Sequence, residues 1–377
     1  MSSLQHRFWS PTRLLLQCLT LALCCVALRA HAEPYLAVQM GFKCGQCHVN
    51  PTGGGLRTSY GDVFAQTLMP HDHIDTGNDV WTGDVTKFLR VGGDLRFDGE
   101  VTAVPNTKTT NTFETKPTRV YVEGNVIPDR LIVYVDEWVA PGGASNQEAY
   151  GVYWSKNHDW YIKGGQMYLP FGWRLQDQSS FILTTSGINM FTPDQGVEFG
   201  WERGNWDAQL AVSNGTDGTP GPSHDNGKQY SGQLIWVDSK WRVGTAANFN
   251  KKTVGNKSAF ALFGGLRTGP VEWLAQVELI DDKSIVENTQ LNGRRQTAAL
   301  AEANWAIMRG NNLKITGEYY DPNRSFGGDN QTRWSVVYEW TPIQFVQLRG
   351  GARFNDGIAQ VDSQHQKLYF VELHGFF

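Results

Sequence analysis

The chain has 377 residues, with 37 acidic against 33 basic side chains and a formal net charge of −4. That balance excludes the basic surface that nucleic acid demands, so nucleic acid is not an expected partner. A mean hydropathy of −0.39 is too polar for a bundle of membrane helices, yet 12% of the residues are aromatic; a β-barrel reconciles the two, because only alternate residues of each strand meet lipid.

Residues 1–32 read as a secretory leader. Arg7 and Arg13 give the positive start, Leu14 to Leu28 the apolar stretch and Ala30-His31-Ala32 the small-residue cleavage pattern. A retained membrane anchor is the competing expectation. Cleavage after Ala32 makes Glu33 the first residue, and loss of the leader's three arginines leaves 30 basic against 37 acidic residues, a net charge of −7. Cys18, Cys24 and Cys25 leave with the leader, so only Cys44 and Cys47 remain of the five cysteines. In an oxidising compartment no structural disulfide is then expected unless those two pair.

Residues 33–85 hold the motif Cys44-Gly45-Gln46-Cys47-His48 and a linker. Two thiols three positions apart, with an imidazole directly after them, is the c-type haem attachment spacing. Each cysteine adds as a thioether to one porphyrin vinyl group, and His48 becomes the proximal iron ligand. One covalent haem c is therefore the expected cofactor. A thioredoxin-like pair would want a βαβ context, where a glycine triplet follows instead; a zinc knuckle would want a second ligand pair that the mature chain lacks. Met40, Met69, His71 and His73 are candidates for the distal ligand, with Met69 and His71 preferred. Arg57 is a candidate partner for a haem propionate, and a carbonyl at or near Pro51 for accepting the His48 Nδ1–H. Gly53-Gly54-Gly55 lets backbone pass close to a porphyrin or serves as a plain turn. The segment is short for a free-standing cytochrome, so part of its enclosure must come from the strands C-terminal to it.

Residues 86–377 alternate with period 2 between turn signals. They predict about sixteen antiparallel strands, from 86–100 to 365–377, in an all-β transmembrane barrel of outer-membrane type with a short haem segment before it. Short turns, such as Arg203-Gly204-Asn205, Thr268-Gly269-Pro270 and Arg309-Gly310-Asn311, alternate with long polar loops at 101–116, 141–146, 169–194, 215–228, 251–256, 282–295, 322–329 and 356–364. That asymmetry predicts periplasmic turns, extracellular loops and both termini in the periplasm of a bacterial outer membrane. The faces agree: Trp206, Ala208, Leu210 and Val212 oppose Asp207, Gln209 and Ser213, and Trp334, Val336, Tyr338 and Trp340 oppose Arg333, Ser335 and Glu339. The final strand, with Tyr369, Val371, Leu373 and Gly375 in phase and a terminal Phe377, resembles the signature read by the outer-membrane barrel assembly machinery.

Two stretches carry family resemblances. The stretch Gly165-Gln166-Met167-Tyr168-Leu169-Pro170-Phe171-Gly172 resembles the "GQ…PFG" segment of the phosphate-selective porin superfamily, which implies a sixteen-stranded barrel with an inward-folding loop after it. The CGQCH segment joined to such a barrel resembles the fused outer-membrane cytochrome–porin family, which includes iron oxidases of Fe(II)-oxidising bacteria. That resemblance implies single-haem electron transfer across the outer membrane, between an extracellular donor or acceptor, soluble Fe(II) among the candidates, and a periplasmic carrier such as a cytochrome or cupredoxin. Loop acids Asp177, Asp194, Asp281, Asp282, Asp329 and Asp356 are candidate hard-oxygen ligands for Fe²⁺ or a merely solvated surface. The alternatives are a solute-selective porin whose haem segment gates or senses, and a barrel scaffold for a multihaem cytochrome.

Overall fold

The computed structural model describes residues 33–75, 77, 80–215, 226–287 and 290–377. The expected leader lies outside the described residues. Sixteen antiparallel strands close into a barrel: β1 Leu89–Ala103, β2 in two pieces Thr110–Thr115 and Thr118–Ile127, β3 Leu131–Ala140, β4 Ser145–Trp154, β5 Trp160–Met167, β6 Asp194–Arg203, β7 Trp206–Ser213 and β8 Gln229–Val237. The second half comprises β9 Trp241–Lys251, β10 Asn256–Thr268, β11 Val271–Asp282, β12 Arg294–Met308, β13 Asn311–Asp321, β14 Gln331–Trp340, β15 Val346–Asp356 and β16 Lys367–Phe376. Each strand pairs with its neighbours in sequence, and β16 returns to β1 in a register running from Asp94↔Phe376 to Ala103↔Lys367. Closure removes the unpaired edge that a membrane would punish.

The two faces sort as the period-2 pattern requires. Leu210 is 58% exposed and Trp334 61%, whereas the neighbouring Gln209 and Arg333 are buried. Outward residues are apolar and inward ones largely charged or amide-bearing, with an apolar patch at Phe263, Leu274 and Leu300, the arrangement of a strand between lipid and a mostly polar lumen. Trp206 and Trp236 face each other across β7 and β8 with ring centroids 4.8 Å apart, a cross-strand aromatic pair. One expected loop differs: within 101–116, Thr110–Thr115 pairs back on an extended β1 through Phe97↔Thr115 to Thr102↔Thr110. Phe97 and Phe113 stack at 5.9 Å along that hairpin, so an apolar pair holds what its threonines and asparagines made look like an open loop.

The lumen is filled from both ends. Residues 33–75 occupy the short-turn end as three short helices, α1 Pro34–Met40, α2 Cys44–Cys47 and α3 Ser59–Thr67. They hold to the rim turns: His71 N–H donates to Thr341 O at 2.8 Å, Arg309 Nε to Pro70 O at 2.7 Å and Lys43 Nζ to Trp206 O at 2.7 Å. From the other side the segment 168–193, carrying α4 Phe181–Ser186, folds inward as the porin resemblance implies. Trp173 donates its main-chain N–H to Gln276 Oε1 at 2.7 Å and its indole N–H to Ala275 O at 3.1 Å. Leu169, Phe171, Trp173, Ile182 and Leu183 form an apolar core with Phe263, Leu274 and Leu300. The lumen wall is thus buried by protein.

Candidate haem-binding segment inside the lumen

Local sequence explains how the CGQCH turn is presented. Pro34 starts α1, and Gly41 ends it with φ +67°. Gly41 is pressed on the β8–β9 turn, where an added Cβ would stand 2.7 Å from Ser239 Cα. Lys43 then opens the single turn α2, its N–H donating to the Gln46 side-chain oxygen at 2.8 Å. After His48 the chain runs through Gly53, Gly54 and Gly55, all at positive φ (90°, 84° and 68°), a sequence of left-handed residues that only glycine adopts without cost. The loop closes on itself through a His48↔Arg57 bridge and a Val49 N–H donated to Leu56 O at 3.0 Å. Thr58 caps α3, accepting from Gly61 N–H at 3.2 Å. Its own N–H donates to Cys47 O at 3.0 Å, and an added Cβ on Gly61 would collide with that same carbonyl. α3 is therefore built directly onto α2.

The barrel wall grips this loop with buried charge. Asn50 Nδ2 donates to both Glu148 oxygens at 2.7 and 3.0 Å, and Lys163 Nζ donates to Asn50 Oδ1 at 3.3 Å. Lys163 pairs with Glu198 at 2.9 Å, and both side chains are 0% exposed. Tyr134 Oη accepts from Leu56 N–H at 3.1 Å. A second anchor lies at Glu33, whose carboxylate pairs with Lys314 at 2.9 Å, while Lys314 reaches Glu339 at 3.3 Å and Arg349 reaches Glu339 at 3.2 Å. The inward polarity of these wall residues is legible in sequence; their pairing with the amino-terminal segment is not, because nothing in the strand pattern says which wall faces which plug residue.

His48 is 4% exposed; neither ring nitrogen reaches a partner in full hydrogen-bonding geometry, and the nearest polar groups are the Gly54 and Gly55 main chain. The expected Pro51 partner does not serve it: Pro51 O accepts instead from Gln209 Nε2 at 3.3 Å. Burial, with help from the Arg57 cation and against the pull of the Gly55 and Gly54 main chain, lowers the His48 pKa to about 3. The imidazole is neutral, the form that binds iron. Cys44 and Cys47 are free thiols; burial raises both, Cys47 to about 11, so they stay protonated at neutral pH. Cys47 opens into a small, mostly apolar cavity lined by Leu36, Met40, Phe42, Phe64 and Met69, which Arg57 and Glu33 also line. Arg57 pairs with Asp62 at 3.7 Å and lies over the Phe376 ring at 5.0 Å, and its Nη2 is buried without a hydrogen-bonding partner. Cys47 and Arg57 share this cavity, whereas Cys44 and His48 do not line it; the buried imidazole, the two thiols and the unsatisfied guanidinium nitrogen are the groups a covalently attached haem would use.

The other candidates are placed apart. His71 is held on the rim beside Gly310 and Thr341, its ring 2.9 Å from Asp72, and His73 faces Gln66 O at 3.3 Å; neither lines the Cys47 cavity, whereas Met69 and Met40 do. The acids considered for Fe²⁺ are spread over separate partners. Asp177 pairs with Arg333 and Arg353 at 2.9 and 3.2 Å, Asp194 accepts from the Gly215 and Gln195 main chain, Asp281 lies 3.7 Å from Lys283, and Asp356 lies 2.9 Å from His365. Among the described residues no three His, Cys, Asp or Glu side chains gather as a metal site. On the long-loop side a vestibule of about 1110 Å³ remains, walled by Arg96, Arg119, Arg349, Arg353, Asp98 and Glu372. Met190 lines it, and its Cε lies 3.4 Å from where a Cβ on Gly54 would stand. One side chain thus spans from the vestibule to the Gly53–Gly55 loop.

No protein-family model matches the chain, and no curated protein matches it. Solved structures do. An anion-selective porin from Comamonas acidovorans is similar at 10% identity and a TM-score of 0.61, over 77% of this chain and 99% of its own. The outer membrane channel DcaP of Acinetobacter baumannii is similar at 11% identity and a TM-score of 0.55, over 77% of this chain and 97% of its own. Pseudomonas putida OprB is similar at 8% identity and a TM-score of 0.57, over 77% of this chain and 94% of its own. At such identities the likeness shows the fold: a closed, sixteen-stranded antiparallel barrel of the kind outer-membrane porins have.

Proposed function

We propose that the protein sits in the bacterial outer membrane, its apolar girdle against lipid and both termini on the periplasmic side, with one haem c held in the lumen by its own amino-terminal segment. The membrane assignment is supported by the porin likeness and by the outward band of Trp, Leu, Val and Phe side chains; the orientation is supported by the short turns at the end where both termini lie. A haem bound there supplies a centre that holds or releases one electron. Cys44 and Cys47 would anchor it, His48 would ligate its iron and the free Nη2 of Arg57 would pair with a propionate. Phe42, Phe64 and Leu36 exclude water from the cavity. Asn50, Glu148 and Lys163 keep the loop from leaving the wall.

The function that this geometry supports best is electron exchange between an extracellular donor or acceptor, soluble Fe(II) among them, and a periplasmic cytochrome or cupredoxin. The observation that carries it is the buried His48, its ring nitrogens unsatisfied by side chains, in a CGQCH turn seated inside the lumen. A haem within the barrel divides an apolar slab about 25 Å thick into shorter spans. The second reading is a solute-selective channel whose amino-terminal segment gates or senses, and the comparisons with porins and a channel favour it over electron transfer. Its own support in this chain is the charged vestibule.

One experiment separates the two. The protein is reconstituted in liposomes, Fe(II) is added outside, and visible spectra and sugar entry are followed together. Electron exchange predicts prompt haem reduction with little sugar entry. An unreduced haem with free sugar entry would give the channel reading the case.

A further inference from the structure

Resting on the reading of residues 1–32 as a cleaved leader, we propose that the lumen wall carries a binding site for a primary ammonium, filled by the chain's own α-amino group at Glu33. Glu33 is 4% exposed. It lies between two cavities, the one that Cys47 opens into and a second walled by β12–β15 and the inward segment. Its carboxylate pairs with Lys314 at 2.9 Å and lies 3.9 Å from Arg349. Gln176 of the inward segment reaches the same carboxylate. The two fillings of the lumen, from opposite ends of the barrel, therefore meet at this residue.

Glu302 supplies the wall side of the site. It lines the same second cavity as Glu33, is 6% exposed and stands near the midpoint of β12, Arg294–Met308. It accepts from Asn304 Nδ2 at 2.8 Å and from Thr316 Oγ1 at 3.0 Å, and among the described residues it has no ion-pair partner. The other carboxylates on that lining have theirs: Glu33 holds Lys314, Asp177 holds Arg333 and Arg353 at 2.9 and 3.2 Å, and Glu318 holds Arg333. Lys314 is already shared between Glu33 and Glu339, at 2.9 and 3.3 Å. A buried carboxylate without a counter-charge is costly.

Cleavage after Ala32 creates a charged group on Glu33 itself. An α-amino group is largely protonated at neutral pH and offers three N–H donors, as a lysine ammonium does. Pro34 keeps Glu33 extended, with ψ 137°, so its amino and carboxylate groups are presented together. A chain still joined to its leader has an uncharged, single-donor amide at that point, and must also find room for more residues in the same space. Processing thus supplies the counter-charge of Glu302, and the plug seats fully only after the leader is removed.

The test uses protein purified from outer-membrane fractions: wild type, Glu302→Gln, Glu302→Asp, a variant with Ala-Ser-Gly inserted between Ala32 and Glu33, and that insertion combined with Glu302→Gln. Intact mass gives the first residue. An impermeant amine-reactive reagent, read on the amino-terminal peptide before and after denaturation, gives access to the α-amino group. Planar-bilayer conductance gives the seating of the plug. Wild type should begin at Glu33, resist labelling until denatured and stay nearly silent. The insertion should be labelled in the folded protein and open frequently. Glu302→Gln keeps the side-chain shape and should raise the opening frequency on the order of 100-fold, the scale of breaking a buried ion pair. Glu302→Asp keeps the charge and should stay near wild type, which separates lost charge from lost packing. The combined variant should open no more often than the stronger single change, because both remove one interaction. A folded wild type labelled at Glu33, a silent Glu302→Gln, a Glu302→Asp as open as Glu302→Gln, or two changes whose effects multiply would each overturn the assignment. A wild-type mass beginning elsewhere than at Glu33 overturns it together with the leader reading on which it rests.

Discussion

Asn50→Ala should loosen the lumen plug without touching the barrel. The Asn50 amide is bonded to two buried charged side chains, donating to Glu148 at 2.7 and 3.0 Å and accepting from Lys163 at 3.3 Å. Hydrogen bonds to charged groups contribute about 1.5–3 kcal/mol each. The Tyr168 main-chain N–H, 3.0 Å from Glu148, remains as a partial substitute. A net loss of about 3 kcal/mol is therefore expected, and with about 1.4 kcal/mol per tenfold, the undocked fraction should rise on the order of 100-fold. Planar-bilayer conductance reads this directly, with a chain lacking residues 34–75 as the reference in which only the inward segment 168–193 remains in the lumen. Wild type should be nearly silent, and Asn50→Ala should show frequent openings of the reference amplitude. Glu148→Gln, which keeps one acceptor, should fall between. If Asn50→Ala is as silent as wild type while the deletion conducts, this clamp does not hold the plug. If wild type already conducts like the deletion, the lumen is not closed by residues 33–75 at all.

The packing sets three further outcomes. Gly61→Ala places a methyl against the Cys47 carbonyl oxygen, so overpacking of about 1–3 kcal/mol should separate α3 from α2 and cut the yield of haem-loaded protein, read as haem absorbance per barrel. Trp173→Ala removes the buried anchor of the inward segment at a cost of about 3–5 kcal/mol, and should speed proteolytic cleavage within 168–193 on intact vesicles. Val336→Arg puts a charge on the outward face of β14, where Val336 is 44% exposed; about 2–4 kcal/mol should be lost near the bilayer midplane, read as a lower urea midpoint for unfolding from vesicles, and an unchanged midpoint would contradict the lipid-facing assignment.

The barrel is legible in the sequence because its signal is local. Along β7 the alternation of Trp206, Ala208, Leu210 and Val212 with Asp207, Gln209 and Ser213 states the two faces residue by residue, and the structure sorts them accordingly. Turns such as 203–205 and 309–311 announce themselves through glycines at positive φ, Gly204 at 57° and Gly310 at 75°. Legibility fails where contacts join distant parts of the chain. The hairpin at Thr110–Thr115 reads as a loop because its sequence is polar, and what holds it is the Phe97–Phe113 stack with Lys116 pairing to Glu114 and, across to β1, to Glu100. Met69 and His71 stand two residues apart and are equal candidates by spacing; the rim turns at Gly310 and Thr341 take the histidine and leave the methionine facing the Cys47 cavity. The Pro51 carbonyl is a reasonable partner for His48 by proximity in sequence, but Gln209 of the barrel wall claims it. In each case a long-range wall contact outvotes a sound local preference.

The most direct measurement is the intact mass of the denatured protein extracted from outer-membrane fractions, compared with that of a Cys44→Ser, Cys47→Ser variant. The account predicts a polypeptide beginning at Glu33 and carrying the added mass of one haem, which the variant lacks while still assembling in the same membrane. A wild-type mass equal to the bare polypeptide would contradict it.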